Sequence, residues 1–291
     1  MKAYHILLLV ALACAAPRIQ ARAQETDPQV ILDQSEPAQP AQPANDADDA
    51  APDASGNPSG QDAVSEAMAH YDTAVQHHMA GRLENAIVEY RKSILLDPNV
   101  AAFHADLGEA YRLLGETRLA IESMQRAIEL DPELSNAYTT LGVIYDSQDL
   151  LVNAIEYHRK AIAIDPDHFI AYNNLGHAYD RLGLLRAAIA NYKKAVEINP
   201  EFAPAFDNLG TDYLNSGRID EGVEMLHKAL ALSSTNDPQR PLYLNDLGAA
   251  YVMKKEFKVA YKYFEQAARL APGNPDIQRN YQFIKEYLNE Q

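Results

Sequence analysis

The sequence predicts an all-α fold of repeated helical hairpins, and three recurring features indicate it. A Leu-Gly pair followed three residues later by Tyr recurs at spacings of 34, 34, 34 and 38 residues. Small residues recur at a fixed distance after each pair, and a proline follows the end of most periods. A period of this length is typical of stacked helical units. The pairs are Leu107-Gly108, Leu141-Gly142, Leu175-Gly176, Leu209-Gly210 and Leu247-Gly248.

The small residues define the second helix of each unit. They form a column twelve residues after the glycine position: Ala86, Ala120, Ala154, Ala188, Gly222 and Ala260. Further columns follow after steps of four and three residues, which places them on one face of a helix. Glycine inside a helix costs about 1 kcal/mol relative to alanine. Its repetition in register therefore indicates two helices that approach each other closely.

The predicted helix ends recur as well. They are Asp97-Pro98, Asp131-Pro132, Asp165-Pro166 and Asn199-Pro200. Proline cannot continue a helix, and it biases the preceding residue away from helical angles. Each unit is therefore predicted to consist of two helices and a stop. Between the fifth and sixth units the period lengthens by four residues within 233–241, which is either a tolerated loop insertion or an added contact at one edge of a binding groove.

This set of columns resembles the tetratricopeptide repeat (TPR) family, whose units are 34-residue helix-turn-helix modules. The resemblance covers residues 67–272 and implies a right-handed α-solenoid of about six units. The units are 67–100, 101–134, 135–168, 169–202, 203–236 and 241–274. Residues 275–289 carry apolar residues at helical spacing and are predicted to form a C-terminal capping helix.

The first 63 residues differ in composition from the rest. Residues 1–23 combine Lys2, an apolar run and a small-x-small site, which predicts a signal peptide and an exported protein, periplasmic or extracellular. Residues 24–63 are rich in Pro, Ala and Gln and acidic without Lys or Arg, which predicts a disordered tether. Residues 64–291 are the predicted solenoid domain. An exported chain of this pattern resembles a bacterial TPR protein.

Cys14 is the one cysteine of the chain and lies within the predicted signal peptide. Its removal would leave the mature chain without a thiol or a disulfide. The alternative is that Ala11-Leu12-Ala13-Cys14, which loosely resembles a lipobox, makes Cys14 an acylated first residue and anchors the chain to a membrane. Ala11 stands where a large aliphatic residue is usual, so the unanchored interpretation is favoured. The apolar run is too short for a transmembrane helix.

The charge excludes two classes of partner. The net charge is -16, of which residues 24–63 carry -9 and residues 64–291 carry -10, offset by +3 in residues 1–23. An acidic surface repels phosphate backbones and anionic headgroups. We therefore expect no binding to nucleic acid and no direct binding to a membrane surface.

The sequence offers no catalytic, cofactor or metal site. Its glycines are spread evenly and form no phosphate-binding loop, and no serine stands in a pattern with a base. The densest histidine group is His70, His77, His78 and His104, but it lacks the spacing of a zinc motif. The chain is therefore predicted not to be an enzyme, with no metal and no cofactor.

In the TPR family the first helix of each unit lines a concave groove, and the resemblance implies which residues face it. They are Asp106, Glu109, Arg112, Asn136, Thr139, Thr140, Asp146, Asn173, Asn174, His177, Asp180, Asp207, Asn208, Thr211, Asn245 and Asp246. An asparagine amide donates and accepts hydrogen bonds at once, so a row of them suits an extended peptide backbone. Some family members bind a terminal carboxylate in this groove through several Lys and Arg residues. Here only Arg112 and Arg181 are near the groove, and several acidic residues surround them, so such a carboxylate clamp is not expected.

The resemblance implies a protein-protein interaction scaffold or adaptor in the cell envelope, which binds neutral or basic polypeptide segments. The alternative is a noncatalytic subunit that delivers substrates to a separate envelope enzyme, a hydrolase or glycosyltransferase. A neighbouring gene for such an enzyme would favour the alternative.

Overall fold

A computed structural model describes residues 60–291 of the chain; the predicted signal peptide, Cys14 and most of the predicted tether lie outside these residues. Thirteen α-helices and no strand occur within the described range. In chain order the helices are α1 (Gly60–Met79), α2 (Leu83–Leu96), α3 (Ala101–Leu113), α4 (Thr117–Leu130), α5 (Ser135–Ser147), α6 (Leu151–Ile164), α7 (Phe169–Arg181), α8 (Leu185–Ile198), α9 (Ala203–Asn215), α10 (Ile219–Leu232), α11 (Arg240–Met253), α12 (Phe257–Leu270) and α13 (Pro275–Asn289).

The helices belong to two compact units. The described part of the N-terminal unit, residues 60–166, contains the helix pairs α1–α2, α3–α4 and α5–α6. The C-terminal unit, residues 167–291, contains the pairs α7–α8, α9–α10 and α11–α12, followed by α13. Within each unit a helix packs most extensively on its partner in the pair and then on the next pair along the chain. The predicted all-α fold of helix-turn-helix units with a C-terminal capping helix is confirmed.

The two helices of a pair approach closely at the glycine of each Leu-Gly pair. A Cβ atom added to Gly176 on α7 would lie 2.7 Å from Tyr192 Cε1 on α8, and one added to Gly248 would lie 2.6 Å from Phe264 Cδ1. Tyr192 and Phe264 are fully buried. The large side chain of the second helix therefore occupies the space that the glycine leaves, which is the packing that the sequence pattern predicts.

A left-handed residue joins the two helices of each pair. Glycine occupies this position at Gly81, Gly115, Gly183 and Gly217, with φ between 70° and 80°. Asp149 and Lys255 occupy it in the third and sixth pairs, with φ of 64° and 63°. Glycine adopts this backbone conformation without steric cost, whereas other L-residues do not. Lys255, between α11 and α12, therefore has an unfavourable backbone conformation for its residue type.

The predicted stops end the second helices. Asp131 and Asn199 are C-caps with extended backbone angles, each directly before a proline. Their side chains also shape the following turn, because Asp131 Oδ1 accepts from Glu133 N at 3.0 Å and Asn199 Oδ1 accepts from Glu201 N at 3.0 Å. Such Asx turns close the chain without continuing the helix.

The four extra residues before α11 are anchored by Arg240. Its Nη1 donates to the backbone oxygens of Leu230 and Ser233 at 3.1 and 2.9 Å, and to Ser233 Oγ at 2.8 Å. These bonds satisfy carbonyl groups at the end of α10, which have no partner inside the helix. The longer connection thus has a structural function within the C-terminal unit.

The last helix covers the end of the C-terminal unit. Asn274 caps α13, since its Oδ1 accepts from the backbone N–H groups of Asp276 and Ile277 at 3.1 and 3.2 Å. Ile277 and Ile284 are buried against α11 and α12. The bounds of α13, Pro275–Asn289, coincide with the predicted capping helix.

Candidate functional site

The residues predicted to face a groove lie on the first helix of each pair. In the N-terminal unit α3 carries Asp106, Glu109 and Arg112, and α5 carries Asn136, Thr139, Thr140 and Asp146. In the C-terminal unit α7 carries Asn173, Asn174, His177 and Asp180, α9 carries Asp207, Asn208 and Thr211, and α11 carries Asn245 and Asp246. Their surroundings differ between the two units, and the C-terminal unit contains the stronger candidate.

Three predicted asparagines of the C-terminal unit meet in one hydrogen-bonded group, here called the asparagine cluster: Asn173, Asn174 and Asn208. Asn208 Nδ2 donates to Asn173 Oδ1 at 3.0 Å, across from α9 to α7. Asn173 Nδ2 in turn donates to Asn174 Oδ1 at 3.3 Å. Asn173 is buried, whereas Asn174 and Asn208 are half-buried. The cluster therefore has a fixed interior residue and two partners that reach the surface.

The register of the repeat explains why these residues meet. Asn173 stands two residues before Leu175, and Asn208 stands one residue before Leu209. Both leucines are buried, so they fix how α7 and α9 are rotated about their axes. Because α7 contacts α9 directly, these two positions of successive first helices face each other.

The same arrangement recurs further along the C-terminal unit. Asn280 Nδ2 on α13 donates to Asn245 Oδ1 on α11 at 2.9 Å, and Asn245 Nδ2 donates to Asp246 Oδ1 at 3.2 Å. Asn280 is a residue that sequence analysis missed. The sequence does contain a signal for it. Asn280 follows Asp246 by 34 residues, and the next residue, Tyr281, occupies the repeat position that carries the leucine of each Leu-Gly pair.

The remaining predicted residues of the C-terminal unit surround these two groups. His177 and Thr211 lie one helical turn beyond Asn174 and Asn208 and are half-buried. Asp207 is half-buried, and Asp180 is buried. Burial raises the pKa of the nearby Tyr243 phenol, and the Asp207 carboxylate raises it further. The surroundings of the asparagine cluster are therefore acidic.

Two exposed aliphatic side chains lie on the same helices as the asparagines. Ile170 and Leu242 are 39% and 40% exposed, and each precedes an asparagine, Asn173 or Asn245, by three residues. Residues three apart lie on the same face of a helix. The face that carries the amide groups therefore also offers aliphatic surface.

In the N-terminal unit the three predicted residues of α3 form hydrogen bonds with other side chains of the protein. Tyr71 on α1 donates its hydroxyl to Asp106 Oδ2 at 2.5 Å, and Tyr71 is a second residue that the sequence analysis missed. Arg112 Nε and Nη2 donate to both carboxylate oxygens of Glu109 at 2.8 and 2.6 Å. These bonds raise the pKa of Arg112. Its charge is thus paired within its own helix.

The predicted residues of α5 differ in their exposure to solvent. Thr139 Oγ1 donates to Ser135 O within the helix at 3.2 Å, Thr140 and Asp146 are half-buried, and Asn136 is exposed. Two histidines of the group noted in the sequence contact different partners. His70 Nδ1 is 2.6 Å from Glu89 Oε2, and His104 Nε2 is 2.9 Å from Pro98 O. Within residues 60–291, no group of three or more His, Cys, Asp or Glu side chains is arranged to hold a metal ion.

None of the helices between residues 60 and 291 combines the length and apolar character that crossing a membrane requires.

Four family models described as tetratricopeptide repeat match the chain, at residues 101–134, 135–168, 169–202 and 201–272. Together they cover a continuous stretch of more than half of the 291 residues. A search of curated proteins found no match.

Three solved structures are similar to this chain in fold. The first, the APC/C hetero-tetramer Cut9–Hcn1, is 19% identical with a TM-score of 0.69; the match covers 77% of this chain but 45% of that one. PilW, described as a widely conserved type IV pilus biogenesis factor, is 20% identical with a TM-score of 0.63 and coverages of 73% and 97%. YrrB, described as a TPR protein with an unusual peptide-binding site, is 20% identical with a TM-score of 0.50 and coverages of 66% and 97%. By its four repeat matches and its helical pairs, the chain belongs to the tetratricopeptide repeat family.

Proposed function

We propose that this protein is a noncatalytic scaffold or adaptor that binds an extended polypeptide segment on the first helices of its C-terminal unit. The asparagine cluster is the observation that carries the proposal. Its internal bonds use one N–H group of Asn208 and one of Asn173. The Asn174 amide N–H groups and the Asn208 side-chain carbonyl oxygen take no part in these two bonds, and both residues are half-buried.

These two groups match a peptide backbone. Every peptide unit other than one before proline presents one N–H donor and one C=O acceptor. Asn174 Nδ2 would donate to a backbone carbonyl, and Asn208 Oδ1 would accept from a backbone N–H. The bond that holds Asn208 to the buried Asn173 orients its amide before the ligand arrives, which lowers the entropic cost of binding.

The neighbouring side chains give this face its selectivity. Ile170 and Leu242 offer apolar contacts for side chains of the bound segment. Asp207 and Asp246 disfavour an acidic segment, since like charges across an interface oppose association. A neutral or basic segment with aliphatic residues fits these features best.

We place this activity in the cell envelope as part of the proposal. Support comes from the features of residues 1–23 that resemble a signal peptide. The similar structure PilW is described as a pilus biogenesis factor, and the similar structure YrrB as having a peptide-binding site, which agrees with a polypeptide ligand in such a setting.

The first step of the test is to capture the ligand in the native cell. A photoreactive residue in place of Ile170 should cross-link to a polypeptide segment, which mass spectrometry then identifies. The same residue in place of the exposed Ala190 on α8 serves as the matched control. Capture at position 170 and not at position 190 is the expected result.

The second step removes the amides. Asn174→Ala/Asn208→Ala should weaken recovery of the captured partner by about five- to 150-fold, because the two hydrogen bonds to the bound backbone contribute roughly 1–3 kcal/mol together. Asn191→Ala is the control, since Asn191 Nδ2 donates to Ala187 O within α8 at 2.8 Å. A double variant that is folded by circular dichroism and still recovers every partner at full yield would exclude the proposed site.

A further inference from the structure

A surface cleft of about 570 Å³ lies in the C-terminal unit, away from the asparagine cluster. It is formed by the turn before α12, the start of α12 and the end of α13. Phe257, Val259, Tyr287 and Leu288 contribute its apolar lining, and the rings of Phe257 and Tyr287 meet at 4.8 Å between centroids. All four are half-buried, so apolar surface remains accessible there.

Two lysines line the same cleft, Lys255 and Lys258. They belong to a run in which Lys254, Lys255, Lys258 and Lys262 accompany a single acid, Glu256, in a chain of net charge -16. The Lys254 Nζ is bonded to Asp220 at 2.7 Å, whereas Lys258 and Lys262 are exposed. The cleft thus combines four apolar side chains with two lysines, and Glu256 and Gln291 complete its lining.

Lys255 occupies a backbone position that favours glycine. Its φ is 63°, and the equivalent turns of four other helix pairs carry glycine. A lysine there has a conformational cost that glycine avoids. At this position Lys255 adds a long basic side chain to the lining of the cleft, which glycine could not supply.

The chain itself contains a segment with the complementary pattern. Between residues 24 and 59 the large aliphatic residues are Val30, Ile31 and Leu32, which stand together between Asp27 and Asp33. No Lys or Arg occurs in these 36 residues. The aliphatic triplet suits the apolar side chains of the cleft, and the flanking aspartates suit its lysines.

We propose that residues 27–33 of this chain bind in the cleft between α12 and α13, with Val30–Leu32 on the rings and Asp27 and Asp33 beside Lys255 and Lys258. The residues between 33 and 60 span up to about 90 Å when extended. A linker raises the effective concentration of a segment at any site of the same chain that lies within its reach. Within that reach, a contact too weak to hold two separate chains together can hold the segment.

Tryptophan fluorescence tests this directly, because the chain contains no tryptophan. Ile31→Trp and, separately, Val30→Trp should show an emission maximum blue-shifted from that of the denatured chain. Gln42→Trp should emit as a solvent-exposed residue. Lys255→Gly/Lys258→Glu should remove the blue shift while Lys262→Glu retains it. Lys255→Gly should at the same time raise the melting temperature, since it relieves the left-handed backbone.

Measurements at several protein concentrations distinguish binding of the chain's own segment from binding of a second copy. A blue shift that persists on dilution and is lost with the cleft lysines supports binding within one molecule. A blue shift that fades on dilution would assign the cleft to a second copy and overturn the proposal. Solvent-like emission from both tryptophan variants, or a shift that survives the lysine changes, would overturn it as well.

Discussion

Phe264→Ala should lower the free energy of unfolding by about 3–5 kcal/mol, the loss typical of a buried aromatic residue. Phe264 is fully buried on α12, where it packs with Ala249, Val252 and Ile284. It also fills the space above Gly248, where an added Cβ would lie 2.6 Å from its ring. The substitution opens a cavity between the two helices of the last pair and beneath the capping helix, so neighbouring side chains can collapse into it only in part.

Chemical denaturation followed by circular dichroism measures this effect. Lys262→Ala is the matched control on the same helix, since Lys262 is exposed and should change the stability by less than about 0.5 kcal/mol. Equal stability of the Phe264 variant and the control would show that the helices of this pair do not pack in the register described.

Gly176→Ala is expected to destabilise the protein by about 1–3 kcal/mol, although alanine is the better helix former by about 1 kcal/mol. The new Cβ would lie 2.7 and 2.8 Å from Cε1 and Cδ1 of Tyr192. That ring is fully buried, and in a close-packed interior it cannot move without displacing its neighbours. Steric crowding therefore outweighs the gain in helix propensity.

Two other glycines allow the loss of stability to be compared with the space available for a Cβ atom. A Cβ on Gly108 meets the flexible side chain of Met124 at 3.0 Å and the backbone oxygen of Ala120 at 3.2 Å, and one on Gly273 meets nothing within 4 Å. The loss of stability should therefore be largest for Gly176→Ala, smaller for Gly108→Ala and near zero for Gly273→Ala. A reversed order in thermal melts would refute the proposed role of the glycine column.

The repeat pattern was enough to predict the helices and their ends. Residues such as Leu175, Ala188 and Tyr192 each recur in a column, and packing demands the same small or large side chain at every repeat. The stops at Asp131 and Asn199 follow from the proline after each, which acts locally. Both kinds of signal depend on sequence spacing alone, so they can be recognised without coordinates.

The hydrogen bonds of the candidate site were not predictable in the same way. Asn173 and Asn208 were both expected on the groove face, but their bond joins positions 35 residues apart, one more than the repeat. That offset depends on how two successive first helices are rotated and on side-chain rotamers. Asn280 was missed for a related reason: α13 was regarded only as a cap, although it presents the same position to α11.

One polar residue of the first helices, Asp212, lies in the interior and not on the proposed binding face. Asp212 on α9 stands where α3, α7 and α11 carry alanine, and it is completely buried. A sequence pattern shows that such a residue breaks the column, but not which groups surround its carboxylate. Only the packing of the C-terminal unit places it in the interior rather than on the proposed binding face.

Recognition of a peptide backbone by the asparagine amides of the C-terminal unit can be tested on the purified protein. Calorimetric titration of the purified protein with the segment captured at position 170, before and after N-methylation of alternate backbone amides, measures this most directly. Methylation should weaken binding by about tenfold or more, because Asn208 Oδ1 would lose its backbone N–H donor while remaining partly buried. Unchanged affinity for the methylated segment would contradict backbone recognition by these residues.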